Sequence, residues 1–199
     1  MRFTYGYWQL RPEYKMGFAV ECVRATKTEH SLHAVAMGRH IANRGSTLDG
    51  PVLEVDFTAP LEGVIRVTVT HFKGTTPKRP DYPVRESAVT PIITADATAC
   101  TFQSGALTAR VDHTPEGWRV DYLGDGRRLT GSGYHGMAHA LNTQTGKAYM
   151  VDSLMLDVGE WVYGLGERFT PYLKNGQTVE MWNEDGGTAS EIAYKNVPF

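Results

Sequence analysis

The sequence predicts an all-β chain folded as an antiparallel β-sandwich. Apolar and polar residues alternate with period two in several short segments, the pattern of strands with one buried and one wet face. The 21 glycines and 10 prolines are spread along 199 residues, which suits short strands joined by turns better than βαβ units with long crossovers. No segment carries an apolar stripe of helical period. One domain over residues 1–199 is expected, because all-β sandwiches reach such lengths as single units.

Residues 18–24 and 32–37 read as the first strands. Leu53, Val55 and Phe57 alternate with Glu54, Asp56 and Thr58, and Ile65, Val67 and Val69 alternate with Arg66, Thr68 and Thr70. Leu61-Glu-Gly63 between them predicts a hairpin turn. Residues 99–102 give a short strand. A second hairpin is predicted where Leu107, Ala109 and Val111 meet Trp118, Val120 and Tyr122 across Pro115-Glu-Gly117. Residues 148–156 and 178–182 supply the last strands. The turn-rich stretches 74–82 and 124–136 are read as surface loops, and the two prolines of the first withdraw backbone donors, which suits a crossing between sheets.

Charged residues make up 21% and hydrophobic residues 41%, ordinary for a globular domain and unlike disordered or fibrous chains. A net charge of −2 offers no basic stripe for phosphates, so nucleic acid is not an expected partner. No window reaches the roughly 20 consecutive apolar residues of a bilayer span. The opening Met1-Arg-Phe-Thr-Tyr-Gly-Tyr-Trp8 lacks a signal-peptide apolar region, so no membrane partner and a cytoplasmic location are expected. Cys22 and Cys100 lie in separate strand-like runs and read as buried small hydrophobes rather than a disulfide. Two cysteines alone do not make a structural zinc site.

His135-Gly-Met-Ala-His139 has the spacing that points two ligands at one metal on a helix. Gly131, Gly133 and Gly136 argue against a helix and no third ligand is evident, so these read as loop histidines. His71 and His113 read as exposed strand or turn residues, and Asp49-Gly50 before Pro51 as a turn. Gly164-Leu-Gly166 fails the fuller phosphate-loop pattern; its glycines read as a place where two backbones come close. Glu167 and Arg168 then form a surface ion pair, worth under about 1 kcal/mol, or guard a strand edge.

The sharpest local signal is Trp182-Asn-Glu-Asp185-Gly-Gly-Thr188. A polyhydroxylated ligand is held by a carboxylate that accepts from two hydroxyls, an aromatic face that stacks on the sugar ring, and glycines that let the loop approach. All three occur here, although an ordinary acidic turn after a strand fits the same residues. Hydrolysis by this loop alone does not fit. A retaining glycosidase needs two carboxyls about 5–5.5 Å apart across the bond, and Glu184 and Asp185, as neighbours on an extended chain, point to opposite faces. An aldose-epimerase reading needs a His and a carboxylate converging on an anomeric centre, and no convincing pair is seen.

Tyr163-Gly-Leu-Gly-Glu-Arg-Phe-Thr170, Asn175-Gly-Gln-Thr-Val-Glu-Met-Trp-Asn-Glu-Asp-Gly-Gly-Thr188 and Ala193-Tyr-Lys-Asn-Val-Pro-Phe199 closely resemble glycoside hydrolase family 31, in particular its bacterial α-xylosidases. Tyr5-Gly-Tyr-Trp8 and His71-Phe72 resemble that family's N-terminal region, so the resemblance spans the chain. It implies a galactose-mutarotase-like β-sandwich followed, beyond residue 199, by a catalytic (β/α)₈ barrel that carries both catalytic aspartates. No residue present here inherits either catalytic role.

The family's sandwich lends one loop to the active site, where an aspartate contacts substrate near the cleavage point. Asp185 matches that position. Thr188 is a second substrate-binding candidate, although the α-glucosidase members carry an Arg-Asp-Thr-Thr-like loop where this chain has Glu-Asp-Gly-Gly-Thr. The enzyme implied is a retaining exo-glycosidase that removes α-xylosyl units from oligosaccharides and needs neither metal nor organic cofactor. Its expected partners are an oligosaccharide substrate and its own barrel, and a homo-oligomer of the full enzyme is compatible with this. An α-glucosidase of the same family and a carbohydrate-binding module without catalysis are the alternatives. The sandwich is expected to continue past Phe199, so the chain alone should expose sheet edges and associate.

Overall fold

The computed structural model describes residues 2–5, 9–71, 85–114, 117–184 and 193–198. It divides into two compact units, Pro12–Met155 and a second one made of Met1–Arg11 with Leu156–Phe199, in which β1 (Thr4–Tyr5) pairs antiparallel with β2 (Gln9–Leu10).

The larger unit is the β-sandwich. Four strands, β4 (Glu21–Lys27), β5 (Ser31–Met37), β6 (Val52–Thr58) and β7 (Arg66–Thr70), pair in chain order as one antiparallel sheet. Five more, β8 (Ile92–Ala95), β9 (Ala99–Ser104), β10 (Leu107–Thr114), β11 (Gly117–Gly124) and β12 (Arg127–Ser132), pair in order as a second. A third sheet is short and sets β13 (Met137–Asn142) between β14 (Ala148–Asp152) and β3 (Tyr14–Phe18). Both predicted hairpins form, with Phe57 opposite Val67 in one and Val111 opposite Val120 in the other.

Period-two patterning delivers one apolar face from each large sheet, and those faces share a core. Leu32, Ala34, Leu53, Val55 and Phe57 from the first sheet join Cys100, Phe102, Val111 and Val120 from the second in one buried cluster. Phe57 and Phe102 are fully buried, each worth about 1.5–3 kcal/mol of apolar transfer. Cys22 and Cys100 are free and buried there; burial pushes the Cys22 thiol up to about 11 and raises that of Cys100, so both behave as small hydrophobes. The opposite face of the five-stranded sheet carries charge. Arg119 and Arg128 both donate to Asp121, at 2.8 and 2.7 Å, and Arg110 donates to Asp112 at 2.9 Å.

Several expectations are corrected. Residues 18–24 are not one strand. Ala19 N–H donates to Met137 of the third sheet while Val20 N–H donates to Met37 of the first, so the chain turns a corner between sheets at two adjacent residues. Val23 is then skipped by the β4–β5 register, which explains an exposed valine in a strand. The stretch 124–136 is not a loop throughout, because β12 lies inside it. Asp125 and Gly126, both at positive φ, make the two-residue connection that folds β12 onto β11. The strand begun at Ala148 ends at Asp152. Residues 178–182 form no strand; among the described residues next to them an isolated bridge joins Asn183 to Ala193. The stretch 74–82 lies outside the described residues.

The Pro51 ring, just ahead of β6, packs between Gly17 of β3 and Gly38 at the end of β5; a Cβ on either glycine would overlap it. Gly38→Ala is expected to cost about 1–3 kcal/mol of stability. In a Pro51→Ala background the same change should cost far less, which a double-mutant cycle of denaturant unfolding measures; additive costs would remove this packing from the account.

Candidate functional site

Asp185 and Thr188 lie outside the described residues, as do residues 6–8 and Phe72 of the quoted motifs. The structure does describe the chain on both sides of the 185–192 segment. Asn183 bridges to Ala193, and Glu184 N–H donates to Ala193 O at 3.0 Å. Asn183 Oδ1 accepts from Asn196 twice, from its backbone N–H at 3.0 Å and from Nδ2 at 2.8 Å. Asn196 Nδ2 also donates to Ala193 O at 3.1 Å. The two stems of the predicted sugar loop are thereby tied by one asparagine pair.

Arg168 braces that pair. Its guanidinium donates to Asn196 Oδ1, to Glu180 O at 2.8 Å and to Leu165 O at 3.1 Å. The expected Glu167–Arg168 ion pair does not form. Glu167 instead faces Lys195 at 3.5 Å, and its N–H donates to Lys195 O at 3.0 Å. The reading of Gly164-Leu-Gly166 as a close backbone approach holds: all three residues have positive φ, and a Cβ on Gly166 would overlap Lys195 O and lie 2.8 Å from Val197 N.

Elsewhere in this unit side chains replace a sheet ladder. Asn175 accepts from Val162 N–H at 2.7 Å and donates to Glu160 O at 3.0 Å. Lys174 is buried, with Nζ donating to Thr170 Oγ1 at 2.9 Å and Pro171 O at 2.6 Å. The sequence reading missed the bracing roles of Arg168, Asn183, Asn196 and Lys174. The available signal was an asparagine on each side of the acidic loop, since an amide both donates and accepts. Trp182 is 76% exposed and, with Met181, Asn183, Asn196 and Pro198, lines an open cleft of about 550 Å³. An exposed indole face three residues before Asp185 in sequence has the chemistry of a sugar-stacking platform.

The histidines separate. His139 sits on β13 rather than in a loop, and its ring packs on that of His71 with centroids 4.1 Å apart. His71 is half-buried rather than exposed, with Nδ1 2.9 Å from Val52 O. His113 lies in β10 with Nε2 buried. His135 occupies a turn and stacks on Phe18. Among the described residues no group of three or more His, Cys, Asp or Glu is placed to hold a metal ion. No described helix is long and apolar enough to cross a membrane.

Residues 53–199 match the family model of the glycosyl hydrolase 31 N-terminal galactose mutarotase-like domain. The chain belongs to glycoside hydrolase family 31. Along its whole length this family 31 chain is 35% identical to the α-xylosidase XylQ of Lactiplantibacillus pentosus and 34% identical to an α-xylosidase of Emericella nidulans. It spans 26% and 28% of those proteins, about a quarter of their length. Among solved structures, a Flavobacterium johnsoniae family 31 dextranase, complexed with isomaltotriose, superposes over 92% of the chain and 21% of its own, with a TM-score of 0.65 at 14% identity. That likeness shows the fold.

Burial, and then the neighbouring His71, push the His139 pKa below its ordinary value. The fold therefore favours neutral His139, and the stability this contributes is complete above about pH 6.5 and is lost as pH falls through the lowered folded value. Thermal melts from pH 7.5 to 5 should show a smaller acid loss for His139→Phe than for wild type. Gly166→Ala should destabilise this region by at least about 1–3 kcal/mol, read as faster amide exchange at Glu167; wild-type exchange would count against the close approach.

Proposed function

We propose that this chain is the N-terminal sandwich of a retaining α-glycosidase that releases α-xylosyl units from oligosaccharides, and that it lends a substrate-contacting loop to a catalytic barrel outside this sequence. The observation that carries the reading is the match to two α-xylosidases at 35% and 34% identity along the whole chain. Asp185 contacts sugar hydroxyls near the cleaved bond, and Thr188 lines the same loop. The tied stems at Asn183, Glu184, Ala193 and Asn196 support this assignment, since a carboxylate lent to another domain is useful only if its loop is held. Both catalytic carboxylates come from the barrel. A two-carboxylate mechanism is complete without metal or cofactor.

In the full-length enzyme, Asp185→Ala should lower kcat/KM on an aryl α-xyloside by on the order of tenfold to a hundredfold, with an unchanged melting temperature. Asn196→Ala, which removes the side-chain bonds to Asn183, Ala193 and Arg168 and leaves the backbone ones, should lower it by a smaller factor. Wild-type rates for Asp185→Ala would remove the residue from the site. The 199-residue chain alone should show no turnover.

The exposed Trp182 favours a second reading, a binding module without catalysis. Titration of the chain with xyloglucan oligosaccharides separates the two, because only the second predicts saturable heat that Trp182→Ala abolishes.

A further inference from the structure

At one end of the sandwich the turn between β12 and β13 carries a three-ring stack. Tyr134 lies on His135 with centroids 3.8 Å apart and planes 20° from parallel, and His135 lies on Phe18 at 4.2 Å and 18°. The turn is closed by Gly136 N–H donating to Gly133 O at 2.9 Å. His135 is held at φ +56°, a left-handed conformation uncommon for a side-chain-bearing residue. Backbone strain of this kind persists where the surrounding structure requires it, and it often marks a site. Here it places an imidazole under Tyr134, which leaves that ring 89% exposed.

Tyr134 and His135 of the stack form one wall of a cleft of about 380 Å³, a volume within the small-molecule range. Trp118, 3% exposed, lines it too, and its buried Nε1–H has no hydrogen-bond partner among the described residues. Asp112, Thr114, Arg119 and His40 supply a carboxylate, a hydroxyl, a guanidinium and an imidazole on the remaining sides. Asp112 and Arg119 are cross-strand partners on β10 and β11, so strands rather than a loop fix their positions. Each is already charge-paired, Asp112 with Arg110 and Arg119 with Asp121, so neither brings a lone charge that calls for an ionic ligand.

We infer that this cleft is a second, non-catalytic carbohydrate-binding site, distinct from the Trp182–Asp185 loop. An open aromatic face flanked by charged donors and acceptors recognises the two sides of a pyranose: the ring stacks its C–H face and the polar groups take its hydroxyls. The neutral, polyhydroxylated ligand this selects is a glycan chain, bound through one or two sugar units. The choice of xyloglucan as its first probe rests on the function proposed above. The site's task is to hold a polymer near the enzyme, which adds to binding at the active site by raising effective concentration.

The test uses the full-length enzyme in native gels cast with xyloglucan or with an α-glucan, beside kcat/KM on an aryl α-xyloside. Tyr134→Ala should weaken retardation by about threefold to tenfold, the loss expected for one aromatic platform. Tyr134→Phe should behave as wild type, and all three proteins should melt at one temperature and hydrolyse the aryl α-xyloside at one rate. Retardation unchanged in Tyr134→Ala, absent from wild type in both gels, or lost in step with aryl α-xyloside hydrolysis would each overturn the site. A wild-type enzyme inactive on the α-xyloside would instead overturn the substrate reading, while a Tyr134-dependent retardation in either gel would still support the cleft.

Discussion

Two sheets burying their apolar faces against each other is the constraint from which the sandwich follows. Phe57, Val55 and Leu53 of one sheet and Phe102, Val111 and Val120 of the other lie in the same cluster, all fully buried. Once period-two strands meet this way, alternate residues must face outward, and the outward residues of β10 to β12 pair arginines with aspartates. Such pairs add little stability singly, and of these three only Arg128–Asp121 joins two strands; register is set by the apolar faces, since a slip of one residue would turn apolar residues to water. The corner at Ala19–Val20 and the bulge at Val23 let one continuous apolar stretch serve two sheets.

The unit that carries the sugar loop is held by other means. Among its described residues a single two-residue pair of strands forms, Thr4–Tyr5 with Gln9–Leu10, and side chains bonded to backbone supply much of the remaining order. Arg168, Asn175, Lys174 and Asn196 satisfy carbonyls that no ladder reaches. This construction places stems accurately while leaving the loop between them free in sequence, which suits a loop whose residues contact a substrate. It also exposes large apolar side chains, with Trp161, Phe169, Tyr172 and Trp182 each more than half accessible. Surface of that kind marks an interaction face, in keeping with the proposed packing on a catalytic barrel.

Strands with clean alternation were legible in sequence because each has one dry and one wet face. Leu53 to Thr58, Leu107 to Asp112 and Trp118 to Tyr122 are of this type, and their hairpins form as read. β13 was missed for the opposite reason: Met137, Ala138 and Ala140 are all buried, so no alternation survives. Residues 178–182 alternate yet pair with no strand among the described residues, and instead Glu180 O accepts from Arg168. Composition gave the ingredients of the sugar loop but not its bracing, because Arg168 reads as a surface ion pair or an edge guard beside Glu167, while it bonds to residues 3, 12 and 28 positions away. Long-range side-chain bonds leave no periodic trace.

The proposed function requires that Asp185 be lent by the sandwich chain to the active site of an α-xylosidase. A crystal structure of the full-length enzyme with a xylosyl inhibitor bound tests this most directly. The Asp185 carboxylate is predicted to accept hydrogen bonds from sugar hydroxyls at ordinary distances, about 2.5–3.0 Å, with Asn183 and Asn196 still joined behind it. An inhibitor bound with Asp185 turned away, beyond the reach of a direct bond, would contradict it.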